Sequence, residues 1–186
     1  MKLVVGLGNP GSQYVWTWHN LGFLVLDHVL SRRPDFREYR EKDKAMLASV
    51  SIGSKEVWFM KPQTFMNLSG EALPKFVRSH GIEPQEAVVV HDEIDLEEGR
   101  VQLKKGGGSA GHRGLESIFQ YWSRDFYRLR IGIGKPQGTD APDHVLGKVP
   151  KARIVPIVER ASEALEAILS VGPEKAVSAI NVWPRK

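Results

Sequence analysis

With 186 residues, 41% of them hydrophobic and 26% charged, the chain can build one substantial core, hiding roughly 70% of the surface it exposes when unfolded. That composition excludes a disordered or fibrous protein, and the absence of cysteine removes disulfides, thiolate metal centres and a cysteine nucleophile. A net charge of +4 is too small to identify a polyanionic partner on its own.

In chain order, residues 2–7 form a β-branched apolar run ending in glycine and proline, the pattern of a buried strand entering a turn. This run is too short for the apolar core of a secretion signal, and no later stretch approaches a membrane span, so a cytoplasmic protein without membrane attachment is expected. The spacing of Leu21, Leu24, Val25, His28 and Val29 predicts a helix over 21–30, with Asn20 as its N-cap and Pro34 beyond its end. Residues 46–52 and 56–60, separated by Gly53-Ser54, predict a hairpin. A helix is expected over 69–80. Residues 87–90 are continuously apolar, as in a strand buried on both faces, and run into His91-Asp92-Glu93. Beyond a glycine-rich loop at 106–114, a helix over 115–122 and a strand over 127–133 are expected, then helices near 152–169 and 174–180. Interleaved strands and helices with one hairpin define an α/β protein: a single domain over 1–186 with a mixed, mostly parallel sheet flanked by helices.

Charge is unevenly distributed. Between Glu98 and Glu116 there is no acid, while Arg100, Lys104, Lys105 and Arg113 occur; between Asp125 and Asp140 stand Arg128, Arg130 and Lys135, again without an acid. Both stretches offer basic surface to phosphate, although solvated surface charge is the plainer reading of either alone.

Five motifs could carry chemistry. Gly6-Leu7-Gly8-Asn9-Pro10-Gly11 satisfies a dinucleotide-binding pattern after a strand. The next regular element begins only near Asn20, however, and Asp27 falls inside a helical pattern, so the second half of that fingerprint is missing. Thr17-Trp18-His19-Asn20 sets an imidazole at a helix start, where the positive end of the helix dipole disfavours the charged ring and leaves a base; a capping histidine is the alternative. Thr64-Phe65-Met66-Asn67-Leu68-Ser69 offers an exposed apolar pair beside an amide, suited to a pocket or to a stapled helix cap. In His91-Asp92-Glu93-Ile94-Asp95 the carboxylates alternate in side, so one working acid is expected rather than a metal cage. The run 104–114 places glycines ahead of a helix, able to approach an anion but without Walker spacing.

Taken together, Gly8-Asn9-Pro10-Gly11, Tyr14, His19-Asn20, Phe65-Met66-Asn67, His91-Asp92-Glu93, Gly106-Gly107-Gly108 and Arg128-Leu129-Arg130-Ile131-Gly132-Ile133-Gly134 resemble the bacterial peptidyl-tRNA hydrolases in order and spacing. The resemblance runs from about Leu3 to Leu146. It implies a monomeric α/β hydrolase, without cofactor, metal or obligate protein partner, that cleaves the ester between a peptide and the tRNA 3′ ribose and so recycles tRNA from aborted translation. His19 would be the general base activating water, and Asp92 would orient it. Asn9 and Asn67 would bind substrate, Asn9 separating peptidyl from free aminoacyl esters by accepting from an amide N–H. Tyr14, Phe65 and Met66 would line the pocket, and Lys104 and Arg130 would grip the 5′ phosphate of the acceptor arm.

Two positions depart from the family pattern. Trp18 stands where an arginine commonly precedes the catalytic histidine, and Arg113 stands where many members carry a substrate-contacting asparagine. Arginine has donors but no acceptor, so Arg113 is expected to meet a tRNA phosphate or a substrate carbonyl. A non-catalytic RNA-binding adaptor on the same scaffold is the rival, which turnover of an N-blocked aminoacyl-tRNA would exclude.

Overall fold

A single seven-stranded sheet organises the chain, shown here in a computed structural model that describes residues 1–182. Its strands are β1 (Leu3–Gly6), β2 (Arg40–Lys42), β3 (Ala45–Ile52), β4 (Lys55–Pro62), β5 (Ala87–Glu93), β6 (Val101–Lys105) and β7 (Tyr127–Gly132), in the spatial order β2-β3-β4-β1-β5-β7-β6. The four central strands β4, β1, β5 and β7 run parallel, while β2, β3 and β6 pair antiparallel at the edges. This is the mixed, mostly parallel sheet expected.

Helices cover both faces. On one side, α1 (Leu21–Ser31), α5 (Lys151–Val171) and α6 (Pro173–Asn181) pack with Val4, Phe59, Val88, Val90 and Leu129. On the other, α2 (Pro74–Ser79) and α3 (Arg113–Tyr121) close over Leu3, Val5, Met60 and Val89. Because successive strand residues point to opposite faces, β1 and β5 feed both cores and are buried throughout. Each fully buried Val or Leu contributes about 1.5–3 kcal/mol, so the central strands are the most firmly held part of the sheet.

The structure departs from expectation in three places. Residues 69–80 do not form one helix: a 3₁₀ turn spans Met66–Ala72 and α2 begins only at Pro74. Proline fits the first helical position but has no N–H to continue a preceding turn, and Gly70 is held against α3, where a Cβ would lie 2.2 Å from the Ser117 carbonyl oxygen. The edge strand β6, the exposed β2 and the short helix α4 (Ala141–Leu146) had no strong apolar signature. Asn20 precedes α1 but does not cap it with its side chain; its amide instead brackets the Asn9 backbone, accepting from Asn9 N at 2.9 Å and donating to Asn9 O at 3.0 Å. In line with expectation, the glycine pattern after β1 leads into 3₁₀ turns at Ser12–Tyr14 and Trp18–Asn20 rather than into a helix, so the phosphate seat a dinucleotide fold requires is missing.

One contact sets the start of α1 against the sheet. Gly22, in the first turn of α1, lies so near the sheet that a Cβ there would stand 2.4 Å from both Leu7 N and the Val90 carbonyl oxygen. Only glycine lets the start of α1 rest directly on the carboxyl ends of β1 and β5. His19, in the turn just before α1, is thereby set over the last residues of β5.

Candidate active site

Asp92 sits near the carboxyl end of β5 with 3% of its surface exposed. Its two carboxylate oxygens serve two different rings: Oδ2 lies 2.9 Å from His19 Nδ1 and Oδ1 lies 2.9 Å from His112 Nε2. Nδ1 of His112 accepts from the backbone N–H groups of Gly114 and Leu115 and so caps α3. The proton of His112 must therefore be on Nε2, donated to Asp92. Burial works against ionisation of Asp92, yet the His19 and His112 rings outweigh it, by charge and by hydrogen bonding, and hold the carboxyl well below the usual carboxylate range. An ionised Asp92 accepts Nδ1–H from His19, which leaves Nε2 as the basic nitrogen of that ring. Nε2 has no hydrogen bond among the described residues, and His19 lines a cavity of about 300 Å³.

His91 supports the centre from behind. Burial pushes its imidazole well below its ordinary range, with His112 adding to the fall. Its Nδ1–H donates to the Asp92 carbonyl oxygen at 2.8 Å and its ring meets that of His112 edge-on at 5.3 Å. Three imidazoles thus converge on one residue.

The cavity brings together eight of the ten residues singled out in the sequence: Asn9, Tyr14, His19, Phe65, Met66, Asn67, Asp92 and Arg113. Phe65 is exposed, but Met66 is buried, so the expected exposed pair is in fact one aromatic on the rim and one thioether in the wall. Asn9 Oδ1 already accepts from Met66 N at 2.8 Å. The expected acceptor role for a substrate N–H is therefore at most shared, and the unengaged group of Asn9 is the Nδ2 donor. Arg113 makes no hydrogen bond or ion pair among the described residues. Ala141, Pro142, Val145 and Leu146 of α4 add an apolar wall that sequence reasoning missed. It also gave no role to His112, whose only sequence signal was its place in the glycine-rich run.

Lys104 and Arg130 do not line the cavity. They lie on β6 and β7, where Gln102 opposes Arg130 and Lys104 opposes Arg128. Arg130 is engaged by the buried Glu93 and by Gln102, whereas Lys104 is exposed. Glu93 takes no part in the Asp92 cluster, as its alternation along the strand requires. Trp18 is buried in the core, with the Arg153 guanidinium 5.3 Å from its ring centre. Among the described residues, His19, Asp92 and His112 also form a group whose ligand atoms fall within 4.8 Å of one another. Both ring nitrogens facing Asp92 are already accounted for as hydrogen bonds to it.

A strand-borne carboxylate hydrogen-bonded to a histidine beside a largely apolar cavity, with no serine in its wall, is an arrangement able to support base chemistry on a bound water. The family model for peptidyl-tRNA hydrolase matches residues 3–186. A peptidyl-tRNA hydrolase from Dichelobacter nodosus is 43% identical over 183 residues, 95% of this chain and 96% of that one. A crystal structure of peptidyl-tRNA hydrolase in complex with N-propanol superposes with a TM-score of 0.91 at 33% identity, covering 100% of this chain and 97% of the other. The peptidyl-tRNA hydrolase of Acinetobacter baumannii gives 0.89 at 34% identity over 98% and 95%. This chain belongs to the peptidyl-tRNA hydrolase family and is a hydrolase.

Proposed function

We propose that the chain hydrolyses the ester joining a peptide, or an N-blocked aminoacyl group, to the 3′ ribose of tRNA, with His19 as general base. The observation that carries this reading is the paired hydrogen bonding of Asp92 to His19 and His112, which fixes the tautomer of the base. His19 Nε2 takes a proton from water as the water oxygen attacks the ester carbonyl. Asp92 stabilises the imidazolium that forms, and the departing ribose oxygen receives the proton when the ester C–O bond breaks. Serine's place in the familiar triad is taken by water.

The wall chemistry accounts for substrate choice. Phe65, Met66, Ile94, Val145 and Leu146 provide apolar surface, against which the free ammonium of an aminoacyl ester would be costly to desolvate. Asn9 Nδ2 and the exposed amide of Asn67 supply donors for peptide carbonyls. Tyr14 and Phe65 offer rings to the terminal base, where stacking contributes about 1–3 kcal/mol. Lys104 and Arg113 meet phosphates of the acceptor arm, Lys104 and Arg130 reading the 5′ phosphate. In this reading the working unit is a monomer, acting in the cytoplasm where charged tRNA is found. No helix among the described residues is long and apolar enough to cross a membrane.

The test is release of N-acetyl-aminoacyl from tRNA by the wild-type chain and by H19A. Turnover lost in the variant with tRNA binding retained supports the reading. Turnover at the wild-type rate in H19A, or tRNA binding without any turnover in the wild type, overturns it.

A further inference from the structure

Arg128 is among the largest fully buried side chains of the molecule, with 1% of its surface exposed, yet no carboxylate pairs with it among the described residues. Its Nε and Nη1 donate to the carbonyl oxygens of Gly106 and Gly108, each at 2.9 Å. Nη2 makes no hydrogen bond among the described residues. Between those two glycines stands Gly107 at φ +94°, where a Cβ would lie 2.8 Å from Arg128 Nη2 and 2.9 Å from Lys104 Nζ. The guanidinium and the ammonium therefore flank one glycine, and their residues are direct cross-strand neighbours in the register of β6 and β7. Like charges opposite each other destabilise a strand pair, and a buried charge without a counter-charge is disfavoured further. The nearby acid does not relieve this, because Glu93 is engaged with Arg130. Burial lowers the affinity of Arg128 for its proton, and Arg130 lowers it further.

A surplus of positive charge built into the sheet edge, bound by two carbonyls and open toward Lys104, is the arrangement of a site completed by an anion. Resting on the reading of Lys104 as a phosphate contact, we infer that Arg128 is the positioning residue of that contact: it rivets the Gly106–Gly108 turn from below and holds the charge that turns Lys104 toward a terminal phosphate.

The test measures KM and kcat on N-acetyl-aminoacyl-tRNA carrying either a 5′ monophosphate or a 5′ hydroxyl, for the wild type, R128K and R128M. In the wild type the phosphate lowers KM. In R128M, KM for the phosphorylated substrate rises about tenfold, kcat falls much less, the two substrates become equivalent, and the slope of log KM against log salt drops by about one. R128K, which keeps the charge but cannot span two carbonyls, recovers part of the discrimination. Phosphate discrimination intact in R128M, or equal loss of kcat on both substrates, overturns the role of Arg128 and leaves the Lys104 contact standing. A wild-type chain indifferent to the phosphate overturns the contact itself and the inference with it. Should R128M not fold, the Arg128 Nε–H resonance of the wild-type protein, assigned by its loss in R128K, decides: it shifts with a 5′-phosphorylated acceptor-stem hairpin and not with the 5′-hydroxyl hairpin, and no shift with either overturns the role.

Discussion

The centre around Asp92 and the edge formed by β6 and β7 handle charge in opposite ways. At Asp92 both carboxylate oxygens have a donor, His112 has both ring nitrogens engaged, and only His19 Nε2 is left open toward the cavity. At the edge, Lys104, Arg128 and Arg130 share one buried acid, Glu93, and it is committed to Arg130. A satisfied network fixes one geometry and leaves a single reactive atom. An unsatisfied one leaves a field for a polyanion to complete, at the cost of some stability in its absence. Chemistry and substrate retention are thus expected to respond separately to mutation and to salt.

The largest effect should come from the open nitrogen: H19A is expected to lower kcat by about 10³-fold or more, with KM for the tRNA ester changed little, measured in single- and multiple-turnover assays. Next, Asp92→Asn places an amide where a carboxylate was, so that Nδ2–H can donate to His19 and move the ring proton to Nε2. A loss in kcat of about 10²–10³-fold is expected, and a wild-type pH–rate profile in this variant would break the pairing. Gly22→Ala should destabilise the fold by roughly 1–3 kcal/mol or more, the cost of overpacking that forces a backbone shift, read as a lowered midpoint in urea, with activity falling in the folded fraction as well. Lys104→Ala tests the other side of the comparison: KM should rise about tenfold and the salt slope fall by about one, with kcat retained.

Acid makes a subtler test of the residue behind Asp92, since the His91 ring donates from Nδ1 while its buried Nε2 has no partner among the described residues. His91 binds its proton less readily folded than unfolded, so below about pH 6.5 the unfolded chain takes up more protons and stability falls as pH falls, by at most about 1.4 kcal/mol per pH unit for one group. Asp92 has the same sign in a lower window. Its folded value is depressed, so the stability it lends is complete above about pH 3.9 and is lost as pH drops through the folded value. Thermal midpoints measured from pH 7.5 to pH 5 should therefore decline, and His91→Asn should flatten that decline; an equal slope in both proteins would remove His91 as its source.

Much of this was legible in the sequence because it rests on periodicity. The apolar runs of β1 and β5 and the helical spacing of Leu21, Val25 and Val29 are statements about burial, and burial is what the fold obeys. Strand β6 has an alternating pattern, Val101 and Leu103 buried and Gln102 and Lys104 not, but it is so short and basic that its charge concealed its structure. The family motifs supplied the residues of the cavity and the pairing of His19 with Asp92, but not the other couplings. That Asp92 has two imidazole partners depends on His112 arriving from a loop 20 positions away. That Asn9 Oδ1 is already engaged depends on Met66, and that Arg128 rather than Arg130 lacks a counter-charge depends on the register of β5 against β7, which sets Glu93 opposite Gly132 and so nearer to Arg130. Such pairings are set by sheet order, and sheet order is not written in local pattern.

The seat of α1 on the sheet bears on repair as well as on damage. His19 and Asp92 belong to segments 73 positions apart, and their separation is governed at Gly22 by a backbone nitrogen and a backbone oxygen. An added methyl group at position 22 would press on atoms that every amino acid possesses. No shaving of a neighbouring side chain can make room for it, so second-site suppressors of Gly22→Ala should be absent from Leu7 and Val90, and restoring glycine should be the one direct route back to the wild-type distance between ring and carboxylate.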